Sequence, residues 1–407
     1  MFWINVRIMK MNRFTNCLTI AIVSGAVLLC SCSTNLGPET LPSTTPATET
    51  EESIPETSEI ITPEMTDPSS EAVVTDRIVD KYGQLTIDGT KIVNGDGEVV
   101  MLKGISSYGI EKCEGFFTPE IVKTLAQDWG CDILRISLTG DKESDGYLKE
   151  PEKYFDMVCE ICNMCIDQGI YILVDWNVAY MEDSDENEEA AVDFFSRLSA
   201  IYSDSPNVLY EVENNAFMID EDESASAEWS DDIKPFAKAV IEAVRENDED
   251  TIIIVGTPKT CFGISTAADS ELDYSNIAYA CRFFAGTQGE EYREDIESAI
   301  DDGLCVFINE WSMCTDNYIG GIFYVESQEW MDFLKENQIS WCNYAIGNDT
   351  YDDANALMFS SENYTFEQKY SGHWPNGLIS GSGLFVREQM LLVETDDPAD
   401  ETESTEE

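Results

Sequence analysis

Eight short apolar segments, each seven to nine residues long, alternate with amphipathic segments along most of the chain. They are VVMLKGISS (99–107), CDILRISL (131–138), YILVDWN (171–177), NVLYEVEN (207–214), TIIIVGT (251–257), IAYACRFF (277–284), LCVFINEW (304–311) and SWCNYAIG (340–347). Strands that are apolar throughout, rather than at alternate positions, are typical of a parallel sheet buried on both faces. Eight such strands with helices between them predict an α/β fold, a closed (β/α)8 TIM barrel.

The segments between and before the strands agree with this fold class. Residues 230–245 and 327–338 place apolar side chains at the i, i+3, i+4 spacing of a helix with one buried face. An open doubly wound sheet is the alternative, but it would normally carry a glycine-rich phosphate loop after its first strand, and LKGISSYGIEK has none. Ahead of the first strand, GQLTIDGTKIVNGDGEVV predicts a β-hairpin with NGDG as its turn. We expect this hairpin to close the N-terminal mouth of the barrel.

Three further segments flank the predicted barrel domain at 77–393. Residues 1–32 have a basic start followed by the apolar run CLTIAIVSGAVLLCSC, which is the architecture of a signal peptide. Its end resembles a bacterial lipobox, so we expect lipidation of Cys32; an ordinary cleaved signal peptide and a single anchor helix are the alternatives. Residues 33–76 and 394–407 are acidic and rich in Pro, Ser and Thr, which predicts disorder. These features predict a protein of the bacterial cell surface, lipid-anchored to the membrane.

The charge of the chain excludes some partners. Eighty acidic residues against 23 Lys and Arg residues give a formal net charge of −57. Such a chain is a poor candidate for binding nucleic acid or anionic lipid headgroups through charge. No motif implies an organic cofactor or a metal.

The 13 cysteines invite a disulfide or a metal interpretation. Cys131, Cys281 and Cys305, however, lie in strand-like apolar segments, where cysteine behaves as a small buried hydrophobe. Cys159, Cys162 and Cys165 recur every three residues. This spacing is compatible with metal ligands, but we favour a helical stripe that faces the core.

If the strands form a barrel, functional residues should lie at their C-terminal ends. Those ends carry aromatic, amide, guanidinium and carboxylate side chains: Tyr108, Arg135, Asn177, Asn214, Asn215, Arg282, Glu310 and Trp341. Aromatic rings stack on the C–H faces of sugars, while amides and guanidinium groups hydrogen-bond hydroxyls. The pattern therefore predicts a carbohydrate groove, although each residue taken singly could be a satisfied residue of the barrel core.

Taken in order, the hairpin with its first strand, DWGCDILRISL, GIYILVDWN, SPNVLYEVEN and VFINEWSMC resemble the cellulases and related β-glycanases of glycoside hydrolase family 5. The resemblance covers nearly all of the folded part. It implies retaining hydrolysis of β-linked glycans, in which one carboxylate is the nucleophile and a second carboxyl group is the acid/base. It places Glu310 at the nucleophile position. It also implies that Arg135, Asn214 and Trp341 are the family's arginine, its asparagine on strand four and its sugar-platform tryptophan.

Other positions of the resembled site are substituted. Asn215 stands where the family has its acid/base glutamate, and an amide can neither give a proton to a leaving alkoxide nor take one from water. The histidine expected after strand three is Asn177, and the His-x-Tyr of strand six is Arg282-Phe283-Phe284. The histidine expected near the end of strand one is Tyr108.

Two neighbouring carboxylates are candidates to replace the missing acid. Glu213 lies on the same face as Asn215 if the strand is regular, but about 6–7 Å deeper in the barrel. Glu211 is deeper still, so neither is well placed to protonate a leaving oxygen. We also expect Arg282, if it points into the site, to pair with Glu310 and to make it less nucleophilic.

Three functional hypotheses remain open at this point. The first is a cell-surface lipoprotein whose barrel binds β-linked polysaccharide, or serves as an interaction module, without efficient hydrolysis. The second is an active retaining β-glycanase, endo-β-1,4-glucanase-like, with a relocated acid/base. The third is a barrel whose groove binds a protein or nothing. We favour the first because several site positions are substituted together while the fold segments are intact.

Overall fold

The computed structural model describes residues 77–140, 145–178, 184–214, 227–317, 321–347 and 365–392. The predicted signal peptide with Cys32, the linker, the acidic tail and Asn215 lie outside these ranges. Lipidation of Cys32 therefore stays a prediction. Within the same ranges, no helix is both long and apolar enough to cross a membrane.

The predicted barrel is present. Two short antiparallel strands, β1 (Thr86–Asp88) and β2 (Lys91–Val93), precede eight parallel strands that close into a barrel. The barrel strands, in their order around the barrel, are β3 (Lys103–Ser107), β4 (Ile133–Thr139), β5 (Tyr171–Asn177), β6 (Val208–Asn214), β7 (Ile253–Gly256), β8 (Ile277–Phe284), β9 (Val306–Ser312) and β10 (Trp341–Ile346). Each of the eight predicted segments thus overlaps one barrel strand.

Helices surround the strands. The described helices are α1 (Ile78–Tyr82), α2 (Ile110–Cys113), α3 (Pro119–Gln127), α4 (Pro151–Gln168), α5 (Ser184–Tyr202), α6 (Lys234–Arg245), α7 (Pro258–Cys261), α8 (Ile264–Ala268), α9 (Glu290–Asp301), α10 (Tyr324–Glu336), α11 (Phe366–Lys369) and α12 (Gly381–Leu391). The predicted helix at 230–245 is α6 with a π-helical turn before it, and the one at 327–338 is α10. Both bury the apolar face that predicted them.

The N-terminal hairpin is confirmed, and it contains one turn more than predicted. β1 and β2 are joined by the two residues that follow Asp88, and Gly89 has the positive φ of 60° that such a turn requires. The predicted turn NGDG (94–97) follows β2, and in it the N–H of Gly97 donates to the carbonyl of Asn94 at 3.0 Å. This turn closes an antiparallel bridge between Val93 and Val99, so both turn signals of the sequence reverse the chain.

The hairpin closes the N-terminal mouth of the barrel. An apolar cluster at the N-terminal end of the barrel joins residues that precede β3 to residues of the barrel strands. The first group is Leu85, Ile92, Val100 and Leu102, and the second includes Ile133, Tyr171, Leu209 and Phe307. The hydroxyl of Tyr171 also donates to the carbonyl of Gly83 at 2.6 Å. A second, larger core lies between the barrel and its helices. The C-terminal rim is therefore the end of the barrel where a site can be accessible.

The cysteines that the structure describes pack in the core, as predicted for the strand segments and for the stripe on α4. Cys162 and Cys165 of α4 are fully buried, while Cys159 is partly buried. Burial raises the pKa of the Cys131 thiol to about 12, so this side chain stays protonated and apolar. Cys281 and Cys305 are buried in β8 and just before β9.

Candidate functional site

A fully buried arginine, Arg135 of β4, is surrounded by three carboxylates inside the barrel. Its Nε and Nη2 donate to the two carboxylate oxygens of Glu211 at 2.6 and 3.0 Å. Nη2 also lies 2.8 Å from Oδ2 of Asp175, and Nη1 donates to Oε1 of Glu310 at 2.8 Å. Charge-assisted bonds of this kind are roughly twice as strong as neutral ones. They hold the Glu310 carboxylate in one orientation.

The register of the strands assembles this network. It places Asp175 beside Ser137 of β4 on one side and beside Glu211 of β6 on the other. Because neighbouring residues in register share a face of the sheet, their side chains meet inside the barrel. The Ser137 hydroxyl donates to Asp175 at 2.7 Å, and the Asn309 amide donates to Glu211 at 2.7 Å. The carboxylates are thus held by several strands at once.

The network contains more acidic than basic groups. Burial alone would lower the pKa of Arg135, but Coulomb attraction to Asp175, Glu211 and Glu310 raises it well above its usual value. Burial raises the pKa of Asp175 well above its ordinary value of 3.8, and Arg135 opposes this shift. Asp175 therefore takes up a proton at a higher pH than an ordinary aspartate does.

We expect Asp175→Asn to reduce the pH dependence of stability. The folded protein binds this proton more tightly than the unfolded chain, so the contribution of Asp175 is most favourable at acidic pH and declines as the pH rises from 3.8 toward the raised folded-state pKa. The free energy of unfolding of the variant, relative to the wild type, should therefore increase between about pH 4 and pH 8. Urea denaturation across this range measures the difference, and parallel pH profiles for the two proteins would contradict it.

Glu310 lies at the open end of the network, with 12% of its side chain exposed. A register shift between β8 and β9 pairs it with Arg282, whose Nη2 lies 3.5 Å from Oε2 of Glu310. The predicted ion pair is therefore present. Two guanidinium groups therefore engage this carboxylate, one at each oxygen. Both interact with the carboxylate lone pairs that an attack on a sugar carbon would use.

Aromatic and amide side chains line the rim as predicted. Tyr108 follows β3 and is 43% exposed, and its ring centroid lies 5.8 Å from that of Tyr344 in β10. Asn177, the last residue of β5, is partly buried and donates to Ser137 at 3.3 Å. The backbone of Asn214 pairs with Asn177 at the end of β6. A tyrosine pair and an amide thus lie at the accessible end of the barrel.

Two residues predicted to contact sugar are placed elsewhere. Trp341 is the first residue of β10, pairs with Lys103 at the start of β3 and is 1% exposed. Its ring packs 5.6 Å from that of Trp311 in the core between barrel and helices, so it cannot be a sugar platform. The aromatic residue near the end of this strand is Tyr344. Arg135 is 0% exposed and acts as a positioning residue for Glu310 instead of a sugar ligand.

One of the two candidate replacements for the missing acid, Glu211, is poorly placed. Both oxygens of Glu211 accept hydrogen bonds from Arg135, and one also accepts from Asn309. The side chain of Glu213 and the whole of Asn215 lie outside what the structure describes, so the expectation for Glu213 stays a prediction. Within the described residues, no group of His, Cys, Asp and Glu has the arrangement of a metal site.

Sequence reasoning did not single out Asn309, Tyr344 or Glu111. Asn309 could have been identified because it directly precedes Glu310. Tyr344 could have been identified because it is an aromatic residue near the end of the eighth predicted strand. Glu111, which accepts a hydrogen bond from Thr139 at 2.6 Å, had no signal because it lies on a short helix after β3.

Several known proteins are similar to this chain in sequence and in fold. The family model described as Cellulase (glycosyl hydrolase family 5) matches residues 93–350. Endoglucanase A of Evansella cellulosilytica is 35% identical over 306 residues, which cover 75% of this chain and 59% of that protein. An endoglucanase of Clostridium saccharobutylicum is 32% identical over 308 residues, covering 76% of this chain and 65% of that protein. The chain thus spans less than two thirds of the length of these curated relatives.

A solved structure extends the comparison to three dimensions. The catalytic domain of Thermobifida fusca endoglucanase Cel5A, in complex with cellotetraose, matches with a TM-score of 0.69 at 27% identity. The match covers 77% of this chain and 99% of that domain. Together with the barrel and the Glu310 site at its rim, these similarities show that the chain belongs to the cellulase family, glycosyl hydrolase family 5.

Proposed function

We propose that this chain is a cell-surface lipoprotein whose family 5 barrel binds β-1,4-linked glucan without hydrolysing it efficiently. The proposal is based on one observation: the Glu310 carboxylate contacts the guanidinium groups of both Arg135 and Arg282. Asn215 stands at the acid/base position of the same site. The nucleophile position thus carries a carboxylate, two cations engage that carboxylate, and the residue at the acid/base position is an amide.

Binding is supported by the residues at the rim. Tyr108 and Tyr344 offer aromatic faces on which sugar rings can stack, and Asn177 offers an amide for hydroxyl groups. The relatives are named endoglucanases, and the T. fusca domain was solved with cellotetraose. A β-1,4-glucan is therefore the glycan that we propose for this groove.

Weak hydrolysis follows from what the site lacks. General acid/base catalysis typically contributes 10²–10⁴-fold, or about 3–5.5 kcal/mol of activation free energy, and an asparagine supplies none of it. Phe284 occupies the second substituted position of strand six and has no hydroxyl group. Its ring lies 6.5 Å from that of Phe262 in a small apolar cluster, so it offers Glu310 no hydrogen bond.

The active-enzyme alternative rests on one observation, the orientation of Glu310 by Arg135 at 2.8 Å. An oriented carboxylate can still attack an activated aryl glycoside, whose leaving group needs little protonation. Slow release of the aryl group that disappears in Glu310→Gln would therefore fit either proposal. Rapid release of reducing sugar from unmodified β-1,4-glucan would support the active enzyme and contradict ours.

The test of the proposed function uses the whole protein. We expect calorimetry to detect cellotetraose binding with millimolar or tighter affinity, and reducing-sugar assays on β-1,4-glucan to show a rate 10²–10⁴-fold below that of an active endoglucanase. We also expect the protein to partition into the detergent phase and Cys32→Ala to remain in the aqueous phase, because each buried acyl CH₂ contributes about 0.8 kcal/mol to anchoring. No detectable cellotetraose binding would contradict the glycan assignment, and aqueous partitioning of the wild type would contradict the anchor.

A further inference from the structure

A second aromatic surface lies where helices α10 and α12 meet. Tyr324 and Val325, the first two residues of α10, are 49% and 69% exposed. The Tyr324 ring lies 6.2 Å from that of Phe385 in α12, in an edge-to-face arrangement, and Phe385 is only partly buried. We call these three residues the outer surface. Exposed apolar side chains scattered singly are ordinary, but three together are typical of a binding surface.

A backbone contact places the outer surface beside the strand that carries Glu310. The N–H of Phe323, directly before Tyr324, donates to the carbonyl of Met313 at 2.9 Å. Met313 follows the last residue of β9, and Glu310 lies near the end of the same strand. The start of α10 is thus attached to the C-terminal end of β9. The outer surface therefore begins at the same rim as the groove.

Apolar side chains connect the groove to the outer surface. Phe284 is two residues beyond Arg282 on β8, so both side chains point into the barrel. Partly buried Ile322 packs against the small apolar cluster that contains Phe284. A Cβ at Gly381, the first residue of α12, would lie 3.0 Å from Cδ1 of Ile322 and 2.5 Å from the hydroxyl oxygen of Tyr324. Ile322 and Tyr324 therefore meet over the start of α12, and the apolar surface continues from β8 to Tyr324.

The chemistry of the outer surface fits a neutral sugar polymer. A half-exposed tyrosine offers an aromatic face to the C–H surface of a sugar ring and a hydroxyl group at its edge. Exposed carboxylates border this face, Glu326 two residues after Tyr324 and Glu388 one turn after Phe385. Carboxylates accept hydrogen bonds from hydroxyl groups, and their charge repels anionic ligands. A β-1,4-glucan is uncharged and rich in hydroxyl donors, so it meets both conditions.

We infer that the outer surface is an accessory binding site for polymeric β-1,4-glucan, on which sugar units outside the groove stack at Tyr324. The inference rests on the proposed function, and it extends that function from an oligosaccharide in the groove to a polymer that also contacts the outside of the barrel. A ligand as short as cellotetraose is held by the groove alone. Binding of the polymer should therefore depend on Tyr324, whereas binding of cellotetraose should not.

The test compares two tyrosines at opposite ends of the barrel. Tyr324→Ala removes the aromatic face of the outer surface. Tyr274→Ala is the matched control, because Tyr274 is partly buried, donates to Glu242 at 2.8 Å and lies three residues before the start of β8, at the N-terminal end. In depletion assays of the whole protein on insoluble cellulose, we expect Tyr324→Ala to weaken binding about tenfold. Tyr274→Ala should bind cellulose as the wild type does, and titration calorimetry should give both variants the wild-type affinity for cellotetraose.

Val325→Ser is a second variant of the same surface. Because 69% of Val325 is exposed, its side chain has little packing to lose, and the variant should fold even if Tyr324→Ala does not. We expect it to weaken cellulose binding in the same direction. Thermal denaturation of each variant establishes that it is folded, so that weaker binding is not caused by unfolding.

The outcomes separate this inference from the proposed function. Wild-type cellulose binding by Tyr324→Ala and Val325→Ser, with cellotetraose still bound, would overturn the inference and leave the proposed function intact. Binding of cellulose that depends on Tyr324, without any binding of cellotetraose, would support the outer surface and contradict the groove. A wild type that binds neither ligand would overturn both. Sedimentation measures self-association: if Tyr324→Ala abolishes it and leaves cellulose binding unchanged, the surface contacts a second copy of the chain and the inference is wrong.

Discussion

Asn215→Glu should raise the release of reducing sugar from β-1,4-glucan by at least about 10²-fold, the lower part of the range that a general acid/base contributes. The substitution returns a proton donor to the sequence position that the family uses for its acid/base, and Arg135 already orients the Glu310 carboxylate at 2.8 Å. We expect the lower part of the range because Arg282 still contacts Glu310 at 3.5 Å. The measurement is a reducing-sugar assay on the wild type and the variant in parallel.

Glu310→Gln in the same background is the control for this gain. If the new activity is retaining hydrolysis at this site, the double variant should lose it entirely, since the amide cannot act as the nucleophile. A wild type as active as Asn215→Glu would contradict the prediction and show that another group already supplies the proton. No activity in Asn215→Glu would show that one carboxyl group is insufficient, and Arg282 would be the next position to change.

Arg135→Met should destabilise the fold by about 3–5 kcal/mol, the usual cost of removing one partner from a buried ion pair. Without the guanidinium group, Asp175, Glu211 and Glu310 would share the interior of the barrel without the cation that now contacts all three. The measurement is the free energy of unfolding from urea denaturation at neutral pH. Arg135→Lys keeps the charge but loses the bidentate contact with Glu211, so it should lie between the wild type and Arg135→Met.

Arg197→Met is the matched control for this substitution. Arg197 pairs with Glu152 at 3.0 Å, but 77% of the Glu152 side chain is exposed, and such surface pairs contribute about 0–1 kcal/mol. If Arg135→Met lowers the free energy of unfolding no more than Arg197→Met does, the barrel tolerates the three carboxylates without their arginine. If Arg135→Met does not fold, Arg135→Lys should still show a measurable decrease in the free energy of unfolding.

Much of the fold was predictable because it depends on local patterns. Continuous apolar segments mark strands that are buried on both faces, and helical periodicity marks the segments between them. The chemistry of Asn215 and Phe284 could also be stated from the sequence alone, since what an amide or a phenyl ring cannot do is independent of its surroundings. Parallel strands in a barrel end at the same rim, which is why Tyr108, Asn177 and Glu310 were correctly expected there.

The error at Trp341 has a different origin. The sequence marks an apolar segment at 340–347 but not which residue begins the strand or which side each side chain faces. Since side chains alternate along a strand, Trp341 packs outside the barrel and Tyr344, three residues on, contacts Tyr108. The same limit applies to the hairpin, where the sequence analysis named the NGDG turn but not the second turn at Gly89 and Thr90.

The sequence by itself determined the barrel, the order of its strands, and the residue types available at its rim. Only the tertiary structure decided which of these residues meet. That Arg135 contacts three carboxylates, that Glu211 is engaged at both oxygens and that Arg282 lies opposite Glu310 all depend on how neighbouring strands are aligned. Alignment is set by register shifts in β6 and β9 and by packing across the whole barrel. No pattern within a single strand encodes the distance to a residue on another.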